Sequence, residues 1–562
     1  MKTIHTFIAL MTLFLVSACY EDKGNYDYLP LHRVIVEVEN NYGIKRPETA
    51  IDYTITPKVT LSDGSTDLSD VQFLWRCNTL TNQFPGDTIS MEQNVTLHID
   101  PESEDFSYNY YMRLYVTDRQ SGVTDMYPVN LTIVKPYEYS WIVLHDTDNH
   151  AEVGSVEYAA GEMIVTPNTL TQERGDLAEP LQGKAVSLGR RQQSTYSPTW
   201  WGGLDTNTQL YVNTTNADES GLINQLEHFL LLANWERMIY PVDFAGFDPN
   251  DVQVANGYQA MTMCSNGHAW QGSGYSFLLY GAHPNADVAN GGDYYIEKMY
   301  GTPTTSICYD SLQGRFLLID TQGTGSWSGS GSHDPAMAPE NNILSISASP
   351  NNAADPNDVS EDKQLVDFVG GYWYSKNAMA AWQRFAVNAY MLSETTGKSY
   401  VYVFHNYALT SNSDPDDNVP VSNFYTIDTP EGVTVNTPMT SSFDYNNILF
   451  YAVDNKIYKL DFAMTNGSST LIYQDPDPQA KISCLQMAFE EYTEVVQTDD
   501  GTERYGHPYA RVLGAGVNMP DGSGKLLILH LNTAGKVDKD TTYPAIQEHT
   551  GFGAIKDITF IN

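Results

Sequence analysis

The chain has 562 residues with 30 basic and 69 acidic side chains, a formal charge of −39. That balance speaks against nucleic acid, whose phosphates need Lys and Arg neighbours, and against electrostatic adhesion to anionic lipid. The length exceeds one ordinary core, so two or more domains are expected, and 38 Tyr and 41 Gly favour strands and turns over helices.

Residues 1–18 read as a secretory signal. Lys2 precedes an apolar run from Phe7 to Val16, which is too short to cross a bilayer as a stable helix, and small residues follow it. The run ends in Leu15-Val16-Ser17-Ala18-Cys19. A cysteine at such a cut site resembles the lipobox of bacterial lipoproteins, which implies a lipid-modified Cys19 as the first mature residue. Several acyl chains together hold a protein firmly on a membrane. Residues 19–29 then form a polar, acidic tether, Tyr20-Glu21-Asp22-Lys23-Gly24-Asn25-Tyr26-Asp27-Tyr28. An acidic stretch there resembles the surface-export signal of Bacteroidetes lipoproteins. The expected location is the outer membrane, with the body facing outward and touching the membrane only through its anchor.

Residues 30–136 read as one small β domain. Arg33 to Val38 and Ile51 to Ile55 alternate as half-buried strands do. Val71, Phe73 and Trp75 share one face of a third strand, and Tyr110, Met112, Leu114 and Val116 share one face of a later strand. Leu131 to Val134 close the unit before Lys135-Pro136. Short strands separated by turns over about a hundred residues indicate an immunoglobulin-type sandwich. The Trp75 strand and the Tyr-x-Met-x-Leu-x-Val-x-Asp strand resemble the two signature strands of PKD domains. Arg76-Cys77-Asn78 stands where the usual acidic-glycine motif would be.

Residues 137–562 keep one texture of short strands and polar turns. Trp141 to Leu144, Thr208 to Thr214, Phe277 to Tyr280 and Arg315 to Ile319 are strand runs. Hairpins are predicted at Phe385–His405, turning at Thr396-Gly397, and at Ile448–Phe462, turning at Asp454-Asn455. A strand within Lys525–Val537 is expected to end at Ala534-Gly535, and Ile558 to Ile561 end the chain in strand. Gly221 to Trp235 has room for a short helix. Hairpins recurring every 50 to 70 residues or so suggest radial repetition. The expectation is therefore an all-β chain, with a β-propeller of about seven blades whose last strand completes the first blade. A pair of β-sandwiches is the alternative.

No catalytic constellation stands out: H-E-x-x-H and G-x-S-x-G are both missing. Ser332-His333-Asp334 has triad letters, but a triad is made by geometry and not by adjacency. Acidic clusters at Asp146-Thr147-Asp148-Asn149, Asp355-Pro356-Asn357-Asp358 and Asp414 to Asn418 offer oxygens to calcium, with Asp146 and Asp148 the metal candidates. None fits D-x-[DN]-x-[DN]-G, and solvated acidic turns are the favoured reading, with no cofactor required. Cys77, Cys264, Cys308 and Cys484 are widely spaced and read as small buried apolar residues, with a Cys264–Cys308 disulfide left open. Trp200-Trp201-Gly202-Gly203 is the best candidate for ligand or partner contact, set against a core role; Trp270 and Trp327 also lie beside Gly and Ser. Asp87-Thr88-Ile89 resembles the glycosylation sequon of exported Bacteroidetes proteins.

Taken together, Cys19 to Tyr26, Trp141 to Leu144 and Gly551-Phe552-Gly553-Ala554-Ile555-Lys556-Asp557-Ile558 resemble a family of PKD-like Bacteroidetes surface lipoproteins. The resemblance implies an accessory of a nutrient importer that pairs a TonB-dependent outer-membrane channel with a lid lipoprotein. It also implies peptide uptake in place of glycan, and it brings no catalytic residues. The function expected is non-enzymatic binding of oligopeptide or protein. The alternatives are a glycan binder, which predicts exposed coplanar tryptophans, and a propeller hydrolase or lyase, which predicts convergent perturbed groups in the central funnel.

Overall fold

The computed structural model describes most of residues 33–561. The longer interruptions are 80–85, 176–180, 193–207, 274–278, 321–342, 347–353, 373–384, 406–420, 489–494, 498–502, 506–510 and 539–543. The chain forms two compact units that divide between Lys135 and Pro136. Both are built of strands, and no helix among the described residues is long and apolar enough to cross a membrane.

The first unit is a β-sandwich. Its larger sheet has five strands in the order Asn41–Lys45, Thr124–Val134, Asn109–Asp118, Val71–Asn78 and Asp87–Ser90. The first two of these run parallel, and the other pairs are antiparallel. Two strand pairs supply the rest: Val34–Glu37 with Lys58–Leu61, and Ile51–Ile55 with Val95–Ile99. Alternation sorts the side chains. Phe73, Trp75 and Cys77 point inward with Tyr110, Met112, Leu114 and Val116, and meet Ile55, Val95, Leu97 and Ile99 in one core. Trp75 is fully enclosed, and its indole N–H donates to the Gln93 carbonyl at 3.2 Å, which satisfies the one polar atom that burial would penalise.

The second unit repeats one device. Among the described residues, seven four-stranded antiparallel sheets follow in chain order. Sheet 1 completes itself across the whole unit: its strand Ser140–Asp146 pairs on one side with Ala151–Ala159 and on the other with the terminal strand Ala554–Ile561. The other sheets open with Ala185–Gln192, Gln253–Ala255, Ile296–Gly301, Gln364–Tyr372, Met439–Thr440 and Lys481–Met487. Each opening strand packs along the next, and Lys481–Met487 packs against Ala554–Ile561, which in turn packs against Ala185–Gln192. The arrangement is propeller-like, and apolar cores lie between neighbouring sheets. Ile142, Leu144 and Ile561 of sheet 1 meet Leu210, Val212 and Ile223 of sheet 2. The opposite face of sheet 1, with Trp141, Val143 and Phe560, meets Leu526 and Ile528 of sheet 7.

Turn chemistry accounts for the hairpins. Gly397 takes φ 64° and Asp454 takes φ 53° at the two predicted turns, a region glycine and aspartate tolerate. Two expectations fail. Gly221–Asn224 and Leu230–Asn234 are strands of sheet 2, and only Trp235–Met238 is helical, capped by Asn234. There the apolar run Leu230-Leu231-Leu232 is drawn into sheet pairing. The strand expected to reach Ala534 stops at His530, because Asn532 turns the chain: its side-chain oxygen accepts from the Ala534 and Lys536 amides.

Candidate functional site

A short motif recurs at the start of four opening strands and of the terminal strand. It reads Ala185-Val186-Ser187-Leu188, Ile296-Glu297-Lys298-Met299, Leu365-Val366-Asp367-Phe368, Ile482-Ser483-Cys484-Leu485 and Ile555-Lys556-Asp557-Ile558. In each, the second residue is an extra one in a β-bulge, so the pairing slips by one there. A bulge re-aims the residue beside it. Four of the re-aimed residues, Ser187, Lys298, Asp367 and Asp557, bond across to the neighbouring sheet.

The bonds run in sequence. Asp557 of sheet 1 accepts from the Leu188 amide of sheet 2 at 2.7 Å. Ser187 donates to the Val252 carbonyl ahead of sheet 3 at 2.6 Å. Gln253 of sheet 3 donates to the Glu297 carbonyl of sheet 4 at 3.1 Å. Lys298 of sheet 4 donates to the Val366 carbonyl of sheet 5 at 2.5 Å and lies 3.5 Å from the Asp367 carboxylate. Asn518 of sheet 7 is bonded in both directions to the Ile555 backbone of sheet 1, at 2.6 and 2.9 Å.

The electrostatics follow from depth. Burial raises the Asp557 carboxyl to about 6, against the pull of the Leu188 and Ile558 amides. Burial also raises the Asp367 carboxyl, and the Lys298 ammonium opposes it. Both side chains of that pair keep about a third of their surface open, 29% and 35%. Burial pushes the Cys484 thiol up to about 12, so it is a poor nucleophile at neutral pH. The bulge side chains are hydrogen-bonding groups committed to the seams between sheets.

A concavity of about 530 Å³ lies at sheet 1 among His145, His150, Glu152, Asn168, Thr171 and Gly553. Its two buried ionisable groups are satisfied. His145 Nδ1 accepts from the Gly553 amide at 3.0 Å, which leaves Nε2 to carry the proton and donate to the Pro167 carbonyl at 2.8 Å. Burial lowers the pKa of that imidazole. Glu152 accepts from the amides of Val153 and Thr171 and from the Thr171 hydroxyl, which fixes the start of the helix Thr169–Arg174.

The residues singled out by sequence fare differently. Cys19, Trp200, Trp201, Asp148, Trp327, Ser332-His333-Asp334 and Asp414 to Asn418 lie outside the described residues. Asp146 uses its carboxylate to accept from the Ala185 amide at 2.7 Å, which ties sheet 1 to sheet 2. Asp355 caps its own turn through the Asn357 amide at 2.9 Å. Among the described residues no cluster of His, Cys, Asp or Glu is arranged to hold a metal ion. Trp270 is 1% exposed and donates to the Asp243 carbonyl at 3.1 Å, so it is core and offers no face to a ligand. Cys264 and Cys308 share one core between sheets 3 and 4 as free thiols, both pushed up by burial. Asp87 and Thr88 are exposed on an edge strand.

Residues 19–184 match the PKD-like family. The matched stretch spans the first unit and continues through the strands Ser140–Thr166 of sheet 1. No curated protein matches the chain. Among solved structures, a quinonprotein alcohol dehydrogenase-like protein from Bacteroides thetaiotaomicron is 11% identical, with 95% of this chain and 100% of that chain covered and a TM-score of 0.39. A DUF4784 family protein from Bacteroides caccae is 10% identical over 94% and 99%, with a TM-score of 0.28. The WD40 domain of SCAP from fission yeast is 10% identical over 86% and 94%, with a TM-score of 0.24. Likenesses of this size bear on neither activity nor partner.

Proposed function

We propose that this chain is a lipid-anchored protein of the outer cell surface that binds oligopeptide or protein and docks on a channel–lid nutrient importer. The observation that carries the reading is Leu15-Val16-Ser17-Ala18-Cys19, followed at once by an acidic tether and then by two β units. The PKD-like match begins at that same cysteine. A stack of sheets bonded together at their opening strands makes a stiff platform, which suits binding without reorganisation. The role is binding, on a body whose polar bulge side chains hold neighbouring sheets together. The test is to retrieve the tagged protein from detergent-solubilised outer membranes and identify what accompanies it by mass spectrometry. A TonB-dependent channel, its lid lipoprotein and bound peptides are expected. Recovery of the protein alone would overturn the docking part of the reading.

A further inference from the structure

Glu152 is a buried carboxylate with no ion-pair partner. The residue is 2% exposed. Its Oε1 accepts from the amides of Val153 at 2.9 Å and Thr171 at 3.2 Å, and its Oε2 accepts from the Thr171 hydroxyl. Three donors and no acceptor hold the ionised form. Among the described residues no lysine, arginine or histidine makes an ion pair with it. Arg174 senses its charge from beyond ion-pair reach and donates to the Phe229 carbonyl instead. Buried charges are ordinarily paired, because hydrogen bonds solvate a charge without cancelling it. A carboxylate has about four acceptor positions. Oε1 uses two and Oε2 one, so Oε2 has room for another donor.

That carboxylate lines the concavity at sheet 1, whose walls come from both ends of the second unit. Thr147 and His150 flank the turn after Ser140–Asp146, Pro167 and Asn168 precede the short helix, and Gly551 and Gly553 lead into the terminal strand. The glycines let these walls approach. A Cβ on Gly551 would lie 2.8 Å from Pro167, and one on Gly553 would lie 2.0 Å from the Asp146 carbonyl oxygen. The volume, about 530 Å³, is that of a small-ligand site. Among the described residues no lysine or arginine lines it, and His145 is neutral because its Nδ1 accepts. Acceptors gather there beside Glu152: the Thr147 hydroxyl oxygen, and Asn168 Oδ1, which takes one donor, Gln172, at 2.8 Å. An anion would meet a carboxylate with no compensating cation. A primary ammonium brings the opposite charge and N–H donors on all sides. We propose that this concavity takes a primary ammonium group of a bound peptide, from its N-terminus or a lysine side chain, with Glu152 as the counter-charge. Capture of a chain end is a recurring way to hold a peptide. The inference rests on the peptide-binding reading above, and it names the place and the group that is recognised.

The test uses the mature chain and Ala-Gly-Ser-repeat peptides labelled with fluorescein at the C-terminus, followed by anisotropy. One has a free N-terminus, one is N-acetylated, and one is N-acetylated with a single lysine. Binding of the first alone assigns the site to the N-terminus, and binding of the third but not the second assigns it to a lysine side chain. E152Q should weaken binding about tenfold or more. So should N168K, which sets a rival ammonium at the rim; Asn168 is exposed, so this variant reports on the site even where E152Q unfolds the chain. The remote control D355N should change binding by less than about twofold. Equal binding of the N-acetylated, lysine-free peptide overturns the proposal, and so does equal binding by folded E152Q and N168K. Peptides retained from membranes equally by wild type and N168K would overturn this site and leave the peptide reading standing. Probe binding that depends on Glu152, with no peptide recovered from membranes, would sink the peptide-cargo reading and leave the ammonium site standing.

Discussion

The two units solve the same problem in opposite ways. The first gathers its apolar side chains into one core, centred on Trp75. The second spreads its apolar residues over several cores, each shared by neighbouring sheets, and fixes the sheets to one another with polar bonds at the bulges. A single core makes a unit sensitive at its centre. A series of shared cores spreads the load and makes the seams the sensitive places.

The comparison can be broken most directly at Trp75. Trp75→Ala should destabilise the first unit by about 3–5 kcal/mol, as large buried aromatics do, and calorimetry should show only one of two transitions moving. A common shift of both would mean the units do not unfold separately. Next comes the seam between sheets 4 and 5. Lys298→Met removes the donor to Val366 and the partner of Asp367; a loss of about 1–3 kcal/mol is expected. Adding Asp367→Leu should recover part of it in urea titrations.

A smaller effect belongs to Asp557. Its folded pKa, about 6, lies above the unfolded value of about 3.9. The folded state therefore holds the proton more tightly, so this group's stabilising contribution is full below pH 4 or so and disappears as pH rises through 6. Asp557→Asn should flatten the fall in stability over that window. The smallest effect is expected at the acidic turn. Asp355→Ala should change stability by about 0.5 kcal/mol or less, and calcium should leave the melting temperature where it was. A calcium-dependent rise lost in the variant would revive the metal reading there.

Much of the fold was legible. The alternation at Phe73-Trp75 and Tyr110 to Val116 marks the sandwich faces, and the turns at Gly397 and Asp454 mark hairpins that form as expected. The strand signal at Ile558 to Ile561 anticipated completion of sheet 1 from the far end. The seam motif was missed. Its signature is an apolar residue, any residue, a polar residue or cysteine, and an apolar residue, too permissive to notice singly. The recurrences at 185, 296, 365, 482 and 555 are unevenly spaced because the connections differ in length. The partners of Asp146 and Trp270 were not legible for a related reason. A carboxylate beside a turn and a tryptophan beside glycine look accessible in sequence, and only tertiary pairing gives one an amide and the other a core.

Sheet 1 joins strands from opposite ends of the second unit, and the bond from the Gly553 amide to His145 spans 408 residues. A ribosome adding about 5–20 residues each second needs on the order of a minute to cover that interval. Throughout it, Ser140–Asp146 presents a bare edge to anything else in the cell that pairs as strand. A truncation that removes only the terminal strand should therefore leave the Ser140–Asp146 edge unpaired and destabilise sheet 1.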